Sequence, residues 1–344
     1  MISAIDLFCG VGGLTHGLHL GGISVVAGVD LDPQCRFPYE ANNNAKFIEK
    51  DVRELNGESL RAMWRKGSRT ILAGCAPCQS FSTYSRKYRP SLRDEKWELV
   101  AHFGRLVKES SPDLVTMENV PQLADHSVFE MFLASLTEYK VWHGVVECAE
   151  YGIPQTRKRL VVLASRLGPV AMLPPPLVDE RSKPTVRKAI YHLPKLKAGQ
   201  YDKVDRMHSA CRLSALNLKR IKASKPGGSW RDWDRSLISK CHRRKTGETY
   251  PSVYGRMEWD SPSPTITTQC FGYGNGRFGH PDQHRAITLR EAAILQTFPD
   301  SYRFIKEGDV PKYSTMGRLI GNAVPVRLGE WVAASLIASV EAAR

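Results

Sequence analysis

The first twenty residues combine a short apolar strand, a glycine-rich turn and a helix. Residues 2–8 are β-rich, residues 9–13 read Cys-Gly-Val-Gly-Gly, and residues 14–20 continue as a helix. Glycines at such a turn let a ligand approach the backbone closely. A dinucleotide fingerprint that begins at Gly10 would need glycine at position 15, where the chain has Thr15. The pattern therefore favours a nucleoside ligand that is not bound through a pyrophosphate.

Six further strand-like runs alternate with helical segments, which predicts an α/β fold with a mostly parallel sheet. These runs are short, apolar and bounded by turn residues; they cover residues 24–29, 47–52, 70–73, 114–117, 141–147 and 160–164. In open sheets of this kind, ligands bind outside the carboxyl ends of the strands. The residues that follow each run are therefore the candidates for function.

Acidic residues end the second and third runs. Asp30, with Asp32 two residues on, stands where a carboxylate can accept hydrogen bonds from ribose hydroxyls. Asp51 can accept from an adenine amine while Val52 packs on the ring. Exposed loop aspartates are common, so the pattern leaves a surface role open beside the ligand role.

The fourth run opens onto residues 74–82, which read Gly-Cys-Ala-Pro-Cys-Gln-Ser-Phe-Ser. Pro77 fixes the backbone before Cys78, and the turn after it can direct amides at the sulfur, which favours a thiolate nucleophile. Two other interpretations stay open: Cys78 as a small buried apolar residue, or Cys75 and Cys78 as a redox pair.

Charged residues accompany this cysteine. Residues 83–97 lack a hydrophobic period and carry several cations, which suits either a solvated loop or a lid that closes on phosphates. Glu118 follows the fifth run. A semi-buried carboxyl group at this place can donate a proton to a bound base, although a plain surface carboxylate is the default interpretation. Arg157 and Arg159 alternate in an extended segment and are expected to share one face.

The overall charge predicts a polyanionic partner. The 344 residues include 49 Lys and Arg against 35 Asp and Glu, a net charge of +14, which makes nucleic acid the first candidate. No apolar run near 18 residues is evident, and the first residues lack a charged region that leads into a long apolar segment, so no membrane is expected. Only two of the eight cysteines lie close together, which argues against a disulfide framework or a zinc ribbon.

The composition shifts after Ser165. Residues up to about 285 are turn-rich and interleave aromatic residues with cations, which predicts an irregular domain with a basic face that either binds nucleic acid or is merely solvated. A capping box at Thr288 and Glu291 begins a later helix, and a last helix over 328–340 can return to the first domain. The predicted domains are therefore 1–165, 166–285 and 286–344.

Six stretches, taken in order, resemble the motifs of the DNA cytosine-5 methyltransferases, and the resemblance covers nearly the whole chain. They are residues 6–13 (DLFCGVGG), 74–82 (GCAPCQSFS), 118–120 (ENV), 155–159 (QTRKR), 290–300 (REAAILQTFPD) and 321–325 (GNAVP). Ala76 departs from the family, which has Pro or Phe before the catalytic proline. The resemblance is to the bacterial restriction-modification type.

The resemblance implies a Rossmann-like methyltransferase domain with a mixed, mostly parallel sheet and a smaller target-recognition domain. It also implies S-adenosylmethionine as the cofactor, S-adenosylhomocysteine as the product, and no metal. The implied cofactor residues are Phe8, Gly10, Val11, Gly12, Gly13, Asp30, Leu31, Asp51, Val52, Pro77, Leu99, Asn322 and Val324.

For the chemistry, the resemblance implies that Cys78 adds to carbon 6 of a flipped-out cytosine and so activates carbon 5. Glu118 would hold ring nitrogen 3 and the exocyclic amine, and Arg159, with Arg157 in the same motif, would serve the ring oxygen. The implied or charge-based DNA contacts are Gln79, Ser82, Arg86, Lys87, Arg89, Trp230, Arg231, Arg243 and Arg244.

The partner implied is double-stranded DNA, with a restriction endonuclease acting on the same site without a stable complex. A monomer in the bacterial cytoplasm, associated with the nucleoid through DNA, is expected. Three alternatives differ in class or substrate: a transfer-RNA methyltransferase of the same family, a thiol oxidoreductase, and a DNA-binding protein without catalysis. The recognised DNA sequence does not follow from the motifs.

Overall fold

A computed structural model describes residues 1–77, 92–176, 184–247 and 249–343. Within it the chain forms two compact units. Unit 1 comprises Met1–Tyr151, Lys158–Leu177 and Ala323–Arg344, and unit 2 comprises Gly152–Arg157 and Val178–Asn322. Unit 1 is thus assembled from three separate stretches of the sequence.

Unit 1 contains a seven-stranded sheet in the order β3-β2-β1-β4-β5-β7-β6. The strands are β1 (Ile2–Leu7), β2 (Ser24–Asp30), β3 (Lys46–Glu49), β4 (Arg69–Gly74), β5 (Leu114–Asn119), β6 (Lys140–Glu147) and β7 (Lys158–Ser165). The first five strands pair in parallel, and β7 runs antiparallel to β5 and to β6. The predicted α/β fold with a mixed, mostly parallel sheet is confirmed.

The described residues contain ten α-helices. They are α1 (Gly13–Leu20), α2 (Arg36–Asn42), α3 (Gly57–Met63), α4 (Leu92–Ser110), α5 (Ser127–Leu133), α6 (Val186–Ile190), α7 (Ala215–Ala223), α8 (Leu289–Leu295), α9 (Tyr313–Asn322) and α10 (Val326–Ala342). The sequence predicted helices near α1, α2, α4, α5, α8 and α10.

The core of unit 1 lies between the sheet and its helices. Leu72 and Val115 from the central strands are fully buried, as are Phe103 of α4 and Phe132 of α5, whose rings are 5.4 Å apart. Strands buried on both faces need near-continuous apolar runs, which is why they were visible in the sequence. Parallel pairing brings the carboxyl ends of β1 to β5 to one edge of the sheet.

Helix α10 packs directly against α1 through glycines. A Cβ atom on Gly17 would collide with the backbone of Val326 and Gly329, and one on Gly329 would lie 3.0 Å from the Gly17 Cα. The two helices can approach this closely only because neither has a side chain at the crossing. The last helix of unit 1 therefore closes over the first.

Unit 2 consists of short helices and loops joined by isolated bridges. Its apolar core includes Ile221, Trp230, Trp233 and Tyr273. A unit with so little regular structure must satisfy its backbone carbonyls in other ways. Gln155 illustrates this, because its side-chain amide donates to the Leu295 carbonyl and its oxygen accepts from the Ile266 amide.

Buried arginines satisfy further carbonyls of unit 2. Arg256, 4% exposed, donates to the carbonyls of His280, Ile221, Ser224 and Gln283, and burial lowers the pKa of its guanidinium. Other arginines of this unit are also buried, namely Arg157, Arg220, Arg285 and Arg290. Part of the positive charge therefore stabilises the fold rather than facing solvent.

The predicted capping box on α8 is present and fully buried. Glu291 accepts from the Thr288 amide, and the Arg285 guanidinium donates to both of its carboxylate oxygens at 2.7 Å. Burial opposes ionisation of Glu291, but the charge and hydrogen bonds of Arg285 outweigh it and lower the pKa of Glu291 to about 2. The carboxylate is therefore ionised at neutral pH.

Glu291→Gln is expected to destabilise the protein by about 3–5 kcal/mol, because it leaves the Arg285 charge buried without its partner. The matched control is Glu49→Gln, which breaks an exposed ion pair with Arg36 and is expected to cost under about 1 kcal/mol. Urea unfolding followed by tryptophan fluorescence measures both. Small and equal decreases in the free energy of unfolding of the two variants would contradict the prediction.

The pH dependence of this pair has a definite sign. The folded-state pKa of Glu291 lies below its ordinary value of 4.5. Its stabilising contribution is therefore complete above about pH 4.5 and is lost as the pH falls towards 2. The difference in the free energy of unfolding between wild type and Glu291→Gln should therefore decrease as the pH falls from about 4.5 towards 2.

One apolar stretch corrects the expectation that no run is long enough to cross a membrane. Tyr313–Ala342 passes that test by length and composition, with a mean hydropathy of 1.3, but 67% of the window is buried inside the protein. It contains α9 and α10, whose packing within their units accounts for the apolar residues.

Candidate active site

A pocket lies at the carboxyl edge of the sheet in unit 1. Its lining combines apolar surface with two carboxylates: Phe8, Asp30, Leu31, Lys50, Asp51, Val52, Arg53, Pro77 and Leu99. Seven of these nine are residues that the sequence assigned to cofactor binding. Apolar walls suit an adenine ring and carboxylates suit hydroxyl and amine donors, so this set of side chains fits an adenosine group.

The glycine-rich turn is held open beside this pocket. Phe8 and Gly10 both have positive φ angles, 57° and 52°, and a Cβ atom on Gly10 would meet nothing within 4 Å. Phe8 thus adopts a left-handed backbone that costs a non-glycine residue of order 1 kcal/mol. The predicted neighbours Val11, Gly12 and Gly13 are buried.

Asp30 fixes the turn. Its Oδ2 accepts from the Gly10 amide at 2.8 Å, and its Oδ1 accepts from the Asp32 amide at 2.9 Å. Burial raises the pKa of Asp30 above its ordinary value. Each oxygen keeps a second lone pair for a ligand, so Asp30 can position the turn and accept a hydroxyl at the same time.

Asp51 is paired with a residue that the sequence did not single out. The Arg53 guanidinium contacts both carboxylate oxygens of Asp51, with one N–O distance of 2.6 Å, and the Arg53 amide donates to Oδ1. These hydrogen bonds lower the pKa of Asp51. Asp51 is therefore held as an anion at the pocket, with Lys50 and Arg53 as cations beside it.

A further buried acid, Asp6, lies on β1 before the turn. Thr15 Oγ1 donates to its Oδ2 at 2.7 Å and contacts the Tyr39 hydroxyl at 3.1 Å. Asp6 is 1% exposed, and burial raises its pKa to about 7. Asp6 is the first residue of the motif at 6–13, but no role was predicted for it.

Glu118 and Arg159 meet on neighbouring antiparallel strands. Arg159 Nε lies 2.7 Å from Glu118 Oε1, and the two side chains are only 12% and 6% exposed. The pairing of Glu118 with Val161 in the β5–β7 register brings them together. Two groups that the sequence assigned to the same base are therefore in direct contact.

The loop that leads to Cys78 is tied to β5. Asn119 Nδ2 donates to the Ala76 carbonyl at 3.0 Å, and the Cys75 thiol donates to Glu118 Oε2 at 2.7 Å. The predicted residues Cys78, Gln79, Ser82, Arg86, Lys87 and Arg89 lie outside the described residues.

Arg157 belongs to unit 2 and is buried there. Its guanidinium is 3% exposed and donates to the Ile266 carbonyl at 3.1 Å and towards the Gly321 carbonyl at 3.5 Å. These contacts satisfy backbone carbonyls of unit 2. The other late cofactor residues are Asn322, exposed at the end of α9, and Val324, buried before α10.

The residues of unit 2 that were predicted to contact DNA differ in their exposure to solvent. Arg231, Arg243 and Arg244 are exposed, and Arg243 donates to the carbonyls of Ile238 and Arg235. Trp230 is 6% exposed, stacks on His242 at 4.6 Å and donates to the Tyr250 carbonyl. Its burial makes Trp230 a core residue, which corrects its assignment to the DNA face.

No group of three or more His, Cys, Asp or Glu side chains that could hold a metal ion is found in the described part of the chain.

The chain matches known proteins over nearly its whole length. The family model for C-5 cytosine-specific DNA methylases matches residues 2–338. Type II methylase M.HgiDII of Herpetosiphon aurantiacus is 52% identical over 339 residues, 97% of this chain and 94% of that protein. Type II methyltransferase M1.HphI of Haemophilus parahaemolyticus is 31% identical over 98% of this chain and 87% of its own length.

Solved structures share the fold. A candidate DNA modification methyltransferase encoded within a prophage (E. coli) superposes with a TM-score of 0.74 at 22% identity, covering 99% of this chain and all of the other. The Dnmt2 methyltransferase of S. pombe superposes with a TM-score of 0.59 at 17% identity, over 99% and 98% of the two chains. From the family match and its Type II relatives, this chain belongs to the C-5 cytosine-specific DNA methylases, S-adenosylmethionine-dependent enzymes that act on DNA, and is a cytosine-5 methyltransferase of the restriction-modification type.

Proposed function

We propose that this enzyme methylates carbon 5 of a flipped-out cytosine through a covalent bond from Cys78, and so protects host DNA against a cognate endonuclease. The observation that carries the proposal is the buried contact between Glu118 and Arg159 at the sheet edge, where Asn119 also donates to the carbonyl of Ala76, two residues before Cys78 in the sequence. A carboxyl group and a guanidinium suit a pyrimidine ring, which offers a nitrogen, an amine and a carbonyl oxygen.

Cytosine carbon 5 is too weak a nucleophile to be methylated unaided. The Cys78 thiolate adds to carbon 6, and the electron pair of the 5,6 double bond becomes available at carbon 5. Glu118 donates a proton to ring nitrogen 3 and accepts from the exocyclic amine, while Arg159 donates to the ring oxygen. Carbon 5 would then form a bond to the methyl group that the cofactor supplies. Removal of the carbon 5 proton by a base such as water then expels the Cys78 thiolate and restores the double bond.

The cofactor sites follow from the pocket in unit 1. Phe8, Val52 and Leu99 would enclose the adenine, Asp51 would accept from its amine, and Asp30 would accept from the ribose. When bound, S-adenosylmethionine supplies an electrophilic methyl group. Gly10 and the turn around it leave space for the methionine part, because a side chain is missing where the backbone must be approached.

Unit 2 is proposed as the target-recognition domain. The exposed Arg231 and Arg244 suit DNA phosphates, because phosphates bind cations. Arg243 can present one edge of its guanidinium to the same DNA surface. Buried arginines such as Arg256 and Arg285 are excluded from this role because their donors already bind carbonyl or carboxylate oxygens inside the protein. A monomer in the bacterial cytoplasm is proposed, with no stable complex to an endonuclease.

Bisulfite sequencing of plasmid DNA from cells that express the protein tests this function. We expect cytosines in one short sequence to resist conversion almost completely, and cytosines elsewhere to convert as in control cells. DNA from cells that express Cys78→Ala is the matched control. Full conversion of every site by active, folded protein would contradict the proposal, as would protection of RNA cytosines alone.

A further inference from the structure

The thiol of Cys75 and the carboxylate of Glu118 are brought together by the sheet itself. Strands β4 and β5 are parallel neighbours, with Gly74 opposite Met117, so the next residue of each strand lies side by side. The Cys75 amide donates to the Leu7 carbonyl at 3.3 Å, which fixes its backbone from the other side. The thiol then donates to Glu118 Oε2 at 2.7 Å.

The two oxygens of Glu118 thus have two different partners. Oε1 lies 2.7 Å from Arg159 Nε, and Oε2 accepts from Cys75. The ion pair at Oε1 is a charge contact without a directed hydrogen bond, so the hydrogen bond from Cys75 at Oε2 is the contact that restricts rotation of the carboxylate about its last bond. A carboxylate that binds the edge of a ring must be held in one orientation, because catalytic groups have to lie within about 0.5 Å of the productive geometry.

We propose that Cys75 is a positioning residue that holds Glu118 in the plane in which it meets the target cytosine. The inference rests on the proposed function of Glu118. A thiol suits this task because it is neutral and a weak donor, so it orients Oε2 without neutralising the carboxylate, whose other lone pairs stay available to the base. A second cation at this position would compete with the base for the carboxylate.

Single-turnover methyl transfer at saturating DNA and S-adenosylmethionine tests the inference. Cys75→Ala, which lacks a donor, is expected to lower the rate about tenfold with KM values for DNA and cofactor within about twofold of wild type. Cys75→Ser restores a donor and should bring the rate back to within about threefold of wild type. Cys148→Ala makes the same change at a fully buried cysteine of unit 1, whereas Cys75 is half-buried, and so sets an upper limit on the effect of lost volume.

A double-mutant cycle separates positioning from a general effect on the fold. In a Glu118→Gln background, Cys75→Ala should change the residual rate by less than about twofold, because the group it positions is gone. Cys75→Gly is a second donor-free variant in case Cys75→Ala does not fold.

Two sets of outcomes are distinguishable. If the wild-type enzyme methylates DNA while Cys75→Ala matches its rate, or while Cys75→Ser is as slow as Cys75→Ala, the positioning role is wrong and the proposed function stands. If the wild-type protein never methylates cytosine, the proposed function fails and this inference fails with it.

Discussion

A Cys78→Ser enzyme is expected to form no covalent complex with DNA that carries 5-fluorocytosine in its target site. The wild-type enzyme should form one, because the addition of Cys78 to carbon 6 proceeds but fluorine cannot leave carbon 5 as a proton does. A serine hydroxyl is hardly ionised near neutral pH and should not add to the ring. A denaturing gel, which preserves only covalent complexes, gives the measurement.

The matched control for this experiment is Cys241→Ser, which removes an exposed thiol from unit 2 and should leave the trapped complex intact. Trapping by Cys78→Ser would show that another residue is the nucleophile. Absence of trapping by wild type on a site that it demonstrably methylates would argue against any covalent route.

Glu118→Gln is expected to lower the single-turnover rate by about a thousandfold with little change in DNA or cofactor affinity. Proton transfer by a positioned side chain contributes roughly 10²- to 10⁴-fold to a rate. Glutamine keeps the shape of Glu118 but cannot carry the proton to ring nitrogen 3, and it removes the anion that pairs with Arg159. The substitution should therefore destabilise the transition state rather than the complex with DNA and cofactor.

Exposed cations of unit 2 provide the contrasting variants. Arg231→Ala and Arg244→Ala should weaken DNA binding or relax the choice of site, while DNA that does bind is methylated at close to the normal single-turnover rate. A Glu118→Gln enzyme with an unchanged rate would contradict the assignment of Glu118. An Arg244→Ala enzyme that binds normally but is inactive at saturation would contradict the separation of recognition from chemistry.

The strands and the mostly parallel sheet could be predicted because each strand is an apolar run that ends in a turn, whereas the order of the strands in the sheet was not predicted. Helix α9 escaped prediction for a physical reason. Its Gly317 and Gly321 lower helix propensity, yet a Cβ atom on Gly317 would meet the Phe271 ring at 2.5 Å and one on Gly321 would meet the Thr268 amide. Close packing, which sequence patterns do not reveal, decides the structure there.

The same limit applies to the candidate site. Asp30 and Asp51 could be found because they end strands, but the contact of Cys75 with Glu118 spans 43 positions and depends on the register of β4 and β5. The interleaved aromatic residues and cations of unit 2 were ambiguous for another reason. An irregular unit uses Trp230 and Arg256 to build its core, and the same residue types would suit a DNA surface.

The crossing of α1 and α10 has a consequence for synthesis on the ribosome. Gly17 emerges early, but Gly329, against which it packs, follows more than 300 positions later. Folding that depends on such distant pairing is slow, since the ends of a long loop must meet before any contact is gained. The nascent protein must therefore carry an uncovered α1 while all of unit 2 is translated, and the first helix of unit 1 gains its packing partner only when the final helix has left the exit tunnel.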